Sequence, residues 1–147
     1  MRIPTRLPDL SHNAAGVHAQ WYAANVSFGV VTAQRCACGL WLMPSRVRCG
    51  SCGGGDLQFE PISQSGEVVS YTVTHRPLHG GFAASVPYAI LIVRTAEGVQ
   101  LLVACDGEFD GDRCPSMVSL ATSSFGVPYA YLSGASIQAD GQDPSTS

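Results

Sequence analysis

The stretch Gln34–Gly53 reads QRCACGLWLMPSRVRCGSCG, and four of the chain's six cysteines fall inside it. Cys36, Cys38, Cys49 and Cys52 are spaced C-x-C-x10-C-x2-C. Two closely spaced pairs on two turns can present four sulfurs tetrahedrally, as structural Zn2+ prefers. Gly39, Gly50 and Gly53 relieve crowding where backbone amides fold over the sulfurs. So short a ribbon buries too little apolar area to stand alone, and a bound metal would contribute much of its folding energy. An iron centre of rubredoxin type, or a degenerate site with Cys36 displaced, are the open alternatives. Catalytic zinc does not fit, because four thiolates leave no position for water.

Whether the thiols bind metal or pair as disulfides depends on the compartment. The N-terminal MRIPTRLPDLSHN lacks a continuous apolar core, and no apolar run approaches the roughly 18 residues of a membrane span. A cytoplasmic protein with no membrane contact is therefore expected, where clustered cysteines favour metal over disulfides. The formal charge is −3, all eight basic residues are arginines, and they form no stripe. That balance argues against nucleic acid as a partner, which calls for a basic footprint. Apolar residues make up 46% of the chain and charged ones 13%, enough for a core and consistent with a surface covered in part by a partner.

Upstream of the cysteines, Ser11 or Asn13 is placed to cap a short helix running to about Asn25, with Ala14, Val17, Trp21 and Ala24 on one face. VSFGVVTAQR, residues 26–35, reads as strand. Downstream, Gly53–Gly55 punctuate the chain and mark a module boundary. From Gly66 the period changes to two. GEVVSYTVTH places Val69, Tyr71 and Val73 on one face, and PYAILIVRT is apolar on both. VQLLVAC alternates through Val99, Leu101, Val103 and Cys105, while SMVSLAT and VPYAYLS supply two more strands. Five short strands with turns between them fit an OB-type barrel. The expected organisation is an arm and helix over 1–30, a ribbon over 31–58, a barrel over 59–136 and a disordered polar tail over 137–147. The fold class is mainly β: a short N-terminal helix, a rubredoxin-like zinc ribbon and a five-stranded OB-fold barrel.

In this order the motifs resemble the zinc-ribbon and OB-fold family catalogued as domain of unknown function 35, which is associated with thiolases and acyl-CoA enzymes. The matching text is QRCACGLWLMPSRVRCGSCG, SQSGEVVSYTVTHRP and PYAILIVRTAEGVQLL, within a resemblance covering roughly residues 15 to 135. Arg35 stands where the first cysteine of that family's knuckle usually falls, with Cys36 one residue later, and Ser45 replaces the second proline of its P-P-R. The resemblance implies a non-catalytic accessory subunit of a thiolase-like acyltransferase complex. It would bridge thiolase-fold and hydroxymethylglutaryl-CoA synthase-like partners, as in acetylation of a phloroglucinol-type acceptor, and shape the substrate passage. The alternatives are a subunit of a steroid side-chain aldolase or a single-strand nucleic-acid-binding OB module.

The loop THRPLHGGFAASVPY, holding His75, His79, Phe82 and Tyr88, is the expected partner-facing or substrate-passage segment, since long loops in compact domains often carry function. Cys105 on an apolar strand face reads as a buried small hydrophobe and not a nucleophile. The acidic run with Asp106, Glu108, Asp110 and Asp112 lacks the EF-hand spacing. Trp41 and Met43 are either ribbon core or exposed anchors.

Overall fold

The computed structural model describes residues 16–76, 86–107 and 109–132. The expected arm and polar tail, the candidate helix caps Ser11 and Asn13, and His79, Phe82 and Glu108 fall outside them. Within them, α1 (Val17–Phe28) leads into a small antiparallel sheet of β1 (Thr32–Cys36), β2 (Trp41–Leu42) and β3 (Leu57–Pro61), in the order β2-β1-β3. Then come β4 (Ser65–Thr74), β5 (Tyr88–Arg94), β6 (Gln100–Asp106), β7 (Met117–Thr122) and β8 (Pro128–Tyr131). These five close into a barrel ordered β4-β5-β6-β8-β7, with β7 returning to β4. The fold is mainly β, with one short helix, a cysteine ribbon and a five-stranded barrel, as the motifs predicted.

The helix departs from the sequence reading at both ends. It is preceded by Gly16 with no side-chain cap, and it runs three residues past Asn25. Val26, Ser27 and Phe28, expected in a strand, form its last turn. Gly29 stops it in the left-handed conformation and donates its N–H to the Asn25 carbonyl at 2.9 Å. A glycine adopts that conformation without the steric cost of a Cβ, so the chain ends the helix there despite the β-branched Val26.

Inside the barrel, alternation does what period two requires. Val99, Leu101, Val103 and Cys105 are all buried, against Leu91 and Val93 of β5 and Val118 and Leu120 of β7. Each such aliphatic side chain contributes about 1.5–3 kcal/mol when fully buried. Trp21, Val31, Ala33 and Ile62 belong to the same cluster, with Trp41 and Met43 packed against it. The helix, the ribbon and the barrel therefore share one core, and the two side chains between the knuckles face it.

β4 is the exception. Its register against β5 shifts between Val68 and Ser70, a bulge that breaks the even alternation. Val69 stands 42% exposed and Tyr71 41%, so the expected apolar face Val69–Tyr71–Val73 is not a buried one. Val68 packs on the core in its place. Tyr71 lies over Phe109 with ring centroids 4.8 Å apart and donates its hydroxyl to the Gly111 carbonyl at 3.2 Å. Among the described residues no helix is long and apolar enough to cross a membrane.

Candidate metal centre and its setting

β1 delivers Cys36 at its C-terminal end, and the chain turns at once. The Gly39 N–H reaches the Cys36 carbonyl at 2.8 Å, and the Cys36 N–H reaches the Leu40 carbonyl at 2.9 Å. Gly39 has φ +95°, a left-handed value that lets the turn close. This folds the Cys38 amide towards the Cys36 sulfur, at 3.5 Å. The second knuckle repeats the pattern. Gly53 donates to the Cys49 carbonyl at 2.9 Å, Cys49 to the Gly54 carbonyl at 2.9 Å, and the Gly54 amide to the Cys52 sulfur at 3.3 Å. Arg48 Nη1 ties the knuckle's far side through the Gly53 carbonyl at 3.2 Å.

All four motif cysteines meet: their sulfurs lie within 4.8 Å of one another. Cys36 and Cys52 are 3.4 Å apart, and Cys38 and Cys49 are 3.9 Å apart. A tetrahedral ion with metal–sulfur bonds of about 2.3 Å requires sulfurs roughly 3.8 Å apart, so the donor set fits a four-thiolate metal. Cys36 belongs to the cluster although it comes one residue late in the usual spacing. Cys36 and Cys49 are buried, Cys38 and Cys52 exposed.

The thiols are electrostatically unequal. The amides of Cys52 and Ser51 hold the Cys49 thiol below its ordinary range, outweighing burial. The Cys38 amide pulls Cys36 down, but burial and the neighbouring thiols together outweigh it and push Cys36 up. A loop between the knuckles holds the site to the sheet. Buried Gln34 of β1 accepts from the Arg46 N–H at 2.6 Å and donates to the Arg46 carbonyl at 2.8 Å. Arg35 on the opposite side of β1 stacks over Trp41 at 5.4 Å and pairs with Glu60 at 3.6 Å.

Among the described residues, the remaining candidates do not join this centre into one site. His75 is exposed at the end of β4, and Thr74 beside it pairs in register with Tyr88. Tyr88 is 3% exposed and packs with Val127 and Tyr129 in a small second cluster. Cys105 is fully buried, and burial, with the Asp106 and Cys114 charges, pushes its thiol up to about 11. It stays protonated and is no nucleophile near neutral pH. Asp110 caps a short 3-10 turn by accepting from the Asp112 N–H at 3.0 Å.

Sequence reasoning missed a polar junction. Asn25 is 0% exposed. Its Oδ1 accepts from the Thr32 N–H and hydroxyl, both at 2.8 Å, and its Nδ2 donates to the Gly126 carbonyl at 2.9 Å. Trp21 Nε1 donates to the Thr32 carbonyl at 2.7 Å. Gln64, between ribbon and barrel, accepts from the Val31 N–H at 3.0 Å and donates to the Val31 and Ile62 carbonyls. An Asn at the end of an apolar helix stripe was the available signal, since a buried amide is kept only where its hydrogen bonds are met.

Comparisons with known proteins agree with this architecture. The family model for the C-terminal OB-fold domain of ChsH2 matches residues 59–114. A probable enoyl-CoA hydratase alpha subunit of Thermomonospora curvata is 31% identical over 85 residues, which is 58% of this chain. The chain spans about a quarter of that relative's length, 26%. A chain of the solved Ltp2-ChsH2(DUF35) aldolase superposes with a TM-score of 0.65 at 25% identity, covering 80% of this chain and 94% of that one. A DUF35 protein of Sulfolobus solfataricus, at 17% identity, shares the fold with a TM-score of 0.53 over 83% of this chain and 90% of its own. The chain is thus similar to ChsH2-like proteins of the domain of unknown function 35 (DUF35) group, over its barrel strands by the family model and over most of its length in fold.

Proposed function

We propose that this chain is a non-catalytic accessory subunit that docks on a thiolase-fold enzyme and completes an acyl-CoA-processing complex. The observation that carries the reading is the match to 94% of a chain of the solved Ltp2-ChsH2(DUF35) aldolase; a thiolase fold for the partner is what the family resemblance implies. Two features of the chain support it. The cysteines form a closed four-thiolate set without an open coordination position. Apolar side chains also stand exposed on the helix (Phe28), the ribbon (Leu40, Val47) and the barrel (Leu102, Met117), with Leu102 at 72%. A surface of that kind is stabilised when a partner covers it.

Within this class the aldolase match favours making or breaking a carbon–carbon bond beside a thioester over acetyl transfer to a phloroglucinol-type acceptor. A hydroxymethylglutaryl-CoA synthase-like second partner would add a third component. Zinc is the metal that suits four thiolates in a structural ribbon, held by Cys36, Cys38, Cys49 and Cys52. When bound it supplies cross-linking of the two knuckles, not chemistry on a substrate. A cytoplasmic location fits thiolates that must stay reduced.

The test is co-expression with the products of the neighbouring genes, any thiolase-fold protein among them first. Co-elution at fixed stoichiometry, with partner activity depending on this chain, supports the proposal, and the stoichiometry counts the partners. Elution as a lone monomer beside a fully active partner overturns it. Elemental analysis decides the metal: stoichiometric iron with visible absorbance would replace zinc.

A further inference from the structure

Two sulfur–sulfur contacts run across the knuckles, and each joins an exposed cysteine to a buried one. Exposed Cys52 meets buried Cys36 at 3.4 Å, and exposed Cys38 meets buried Cys49 at 3.9 Å. In each pair one thiol is open to solvent reagents, and a sulfur of the other knuckle within 4 Å is sheltered behind it. That is the arrangement of an attacked thiol and a resolving thiol in oxidation chemistry.

We propose that Cys38 and Cys52 are oxidation sites for small hydroperoxides, resolved by Cys49 and Cys36 respectively into two crosswise disulfides. The proposal rests on the four-thiolate metal reading above only for its consequence, the loss of the ion. The chemistry balances for each pair. The Cys38 thiolate attacks the distal oxygen of the hydroperoxide. An S–O bond forms, the O–O bond breaks, and the alkoxide or hydroxide leaves with a proton as alcohol or water. The Cys49 thiolate then attacks the Cys38 sulfur of the sulfenic acid. An S–S bond forms, the S–O bond breaks, and hydroxide leaves as water after taking a proton. The two sulfurs lose two electrons in total, and the peroxide gains them. Cys52 and Cys36 react in the same way. Each disulfide withdraws two thiolate ligands, so oxidation of either pair expels a bound ion.

Crosswise pairing has a structural reason and an outcome of its own. The sulfurs in contact belong to different knuckles, so they join without either turn being opened. The alternative, Cys49 with Cys52, closes a short ring within one knuckle and leaves the knuckles unlinked. Crosswise bonds would keep the ribbon folded after the ion has gone, making the modification reversible by thiols.

The test treats the purified, reduced, full-length protein and its Cys114→Ser variant, which removes an exposed thiol outside the cluster, with hydrogen peroxide. Metal release is followed with a chromogenic chelator, and peptides are mapped under non-reducing conditions. A parallel sample contains dimedone to trap sulfenic acids. The expected result is dimedone on Cys38 and Cys52, disulfides Cys38–Cys49 and Cys36–Cys52, release of the bound metal in step with them, and recovery with dithiothreitol. A Cys49–Cys52 disulfide as the main product, adducts mainly on Cys36 and Cys49, or a cluster left reduced while Cys114 is oxidised in the wild type would each overturn it. The metal content of the reduced sample judges the zinc reading separately: a metal-free sample that still maps crosswise removes the zinc and keeps the oxidation sites.

Discussion

Asn25 Nδ2 donates to the carbonyl of Gly126 at 2.9 Å, joining residues 101 positions apart in the chain. The same amide's oxygen takes both the N–H and the hydroxyl of Thr32. One side chain thus fixes the helix, the first ribbon strand and the β7–β8 turn relative to one another. Asn25→Ala leaves a buried N–H, a hydroxyl and a carbonyl without this partner. We expect a loss of about 2–4 kcal/mol in urea unfolding, and a loss of no more than a few tenths would show that the junction is dispensable.

Gly126 faces the helix from the other side. Its φ is +85°, and a Cβ there would lie 2.1 Å from the Tyr22 carbonyl oxygen. Gly126→Ala incurs about 1–2 kcal/mol for the left-handed backbone alone, with the clash in addition. Urea unfolding is expected to show a loss above that figure, and hydrogen exchange to show faster opening of α1.

Cys49→Ser or Cys52→Ser removes one of four metal ligands. Metal affinity is expected to fall by more than about 100-fold, since even partners outside the ligand shell carry up to that much. Competition with a chelator measures it. The same variants should lose hydrogen-exchange protection in β1–β3 and fail to co-elute with the partner, while the partner's own catalytic residues stay intact. Normal assembly of either variant would show that the metal clamp does not hold the docking surface.

Glu97 offers a test against pH. Burial pushes its carboxyl up, but the Ser63 amide and hydroxyl, with its own amide, outweigh burial and hold it below the usual range. A depressed folded-state value contributes stability above the unfolded value of about 4.3, and that contribution is lost as pH falls through the folded-state value. The melting temperature of Glu97→Gln should therefore lie below wild type at pH 7, and the two should converge in stronger acid, where Glu97 is itself neutral. A gap independent of pH would assign the effect to packing.

The barrel was legible because its strands obey a local rule. The alternation of Val99, Leu101, Val103 and Cys105 survives unchanged in the fold. The knuckles were legible because sulfur spacing and glycines act over a few residues. β4 was misread because a bulge is set by pairing with β5, which no local period records. The helix end was misread because β-branched Val26 favours a strand locally; the Gly29 stop is itself a local signal, while the Asn25 junction depends on Thr32 and Gly126. Tyr88, expected to face a partner, is held by Val127 and Tyr129 from far along the chain. For β4 and Tyr88 the deciding contact was distant in sequence.

β1 is only five residues long, yet it has a separate anchor at each end. Thr32 sits in the amide grip of Asn25, and Cys36 sits in the sulfur cluster. Four residue steps of extended chain separate them, about 13 Å. A strand pinned at both ends behaves as a strut. Whatever loosens the sulfur end is felt as lost tension at the helix seat, where no sulfur is present, and a reporter placed on α1 would read the state of the ribbon from the far side of the sheet.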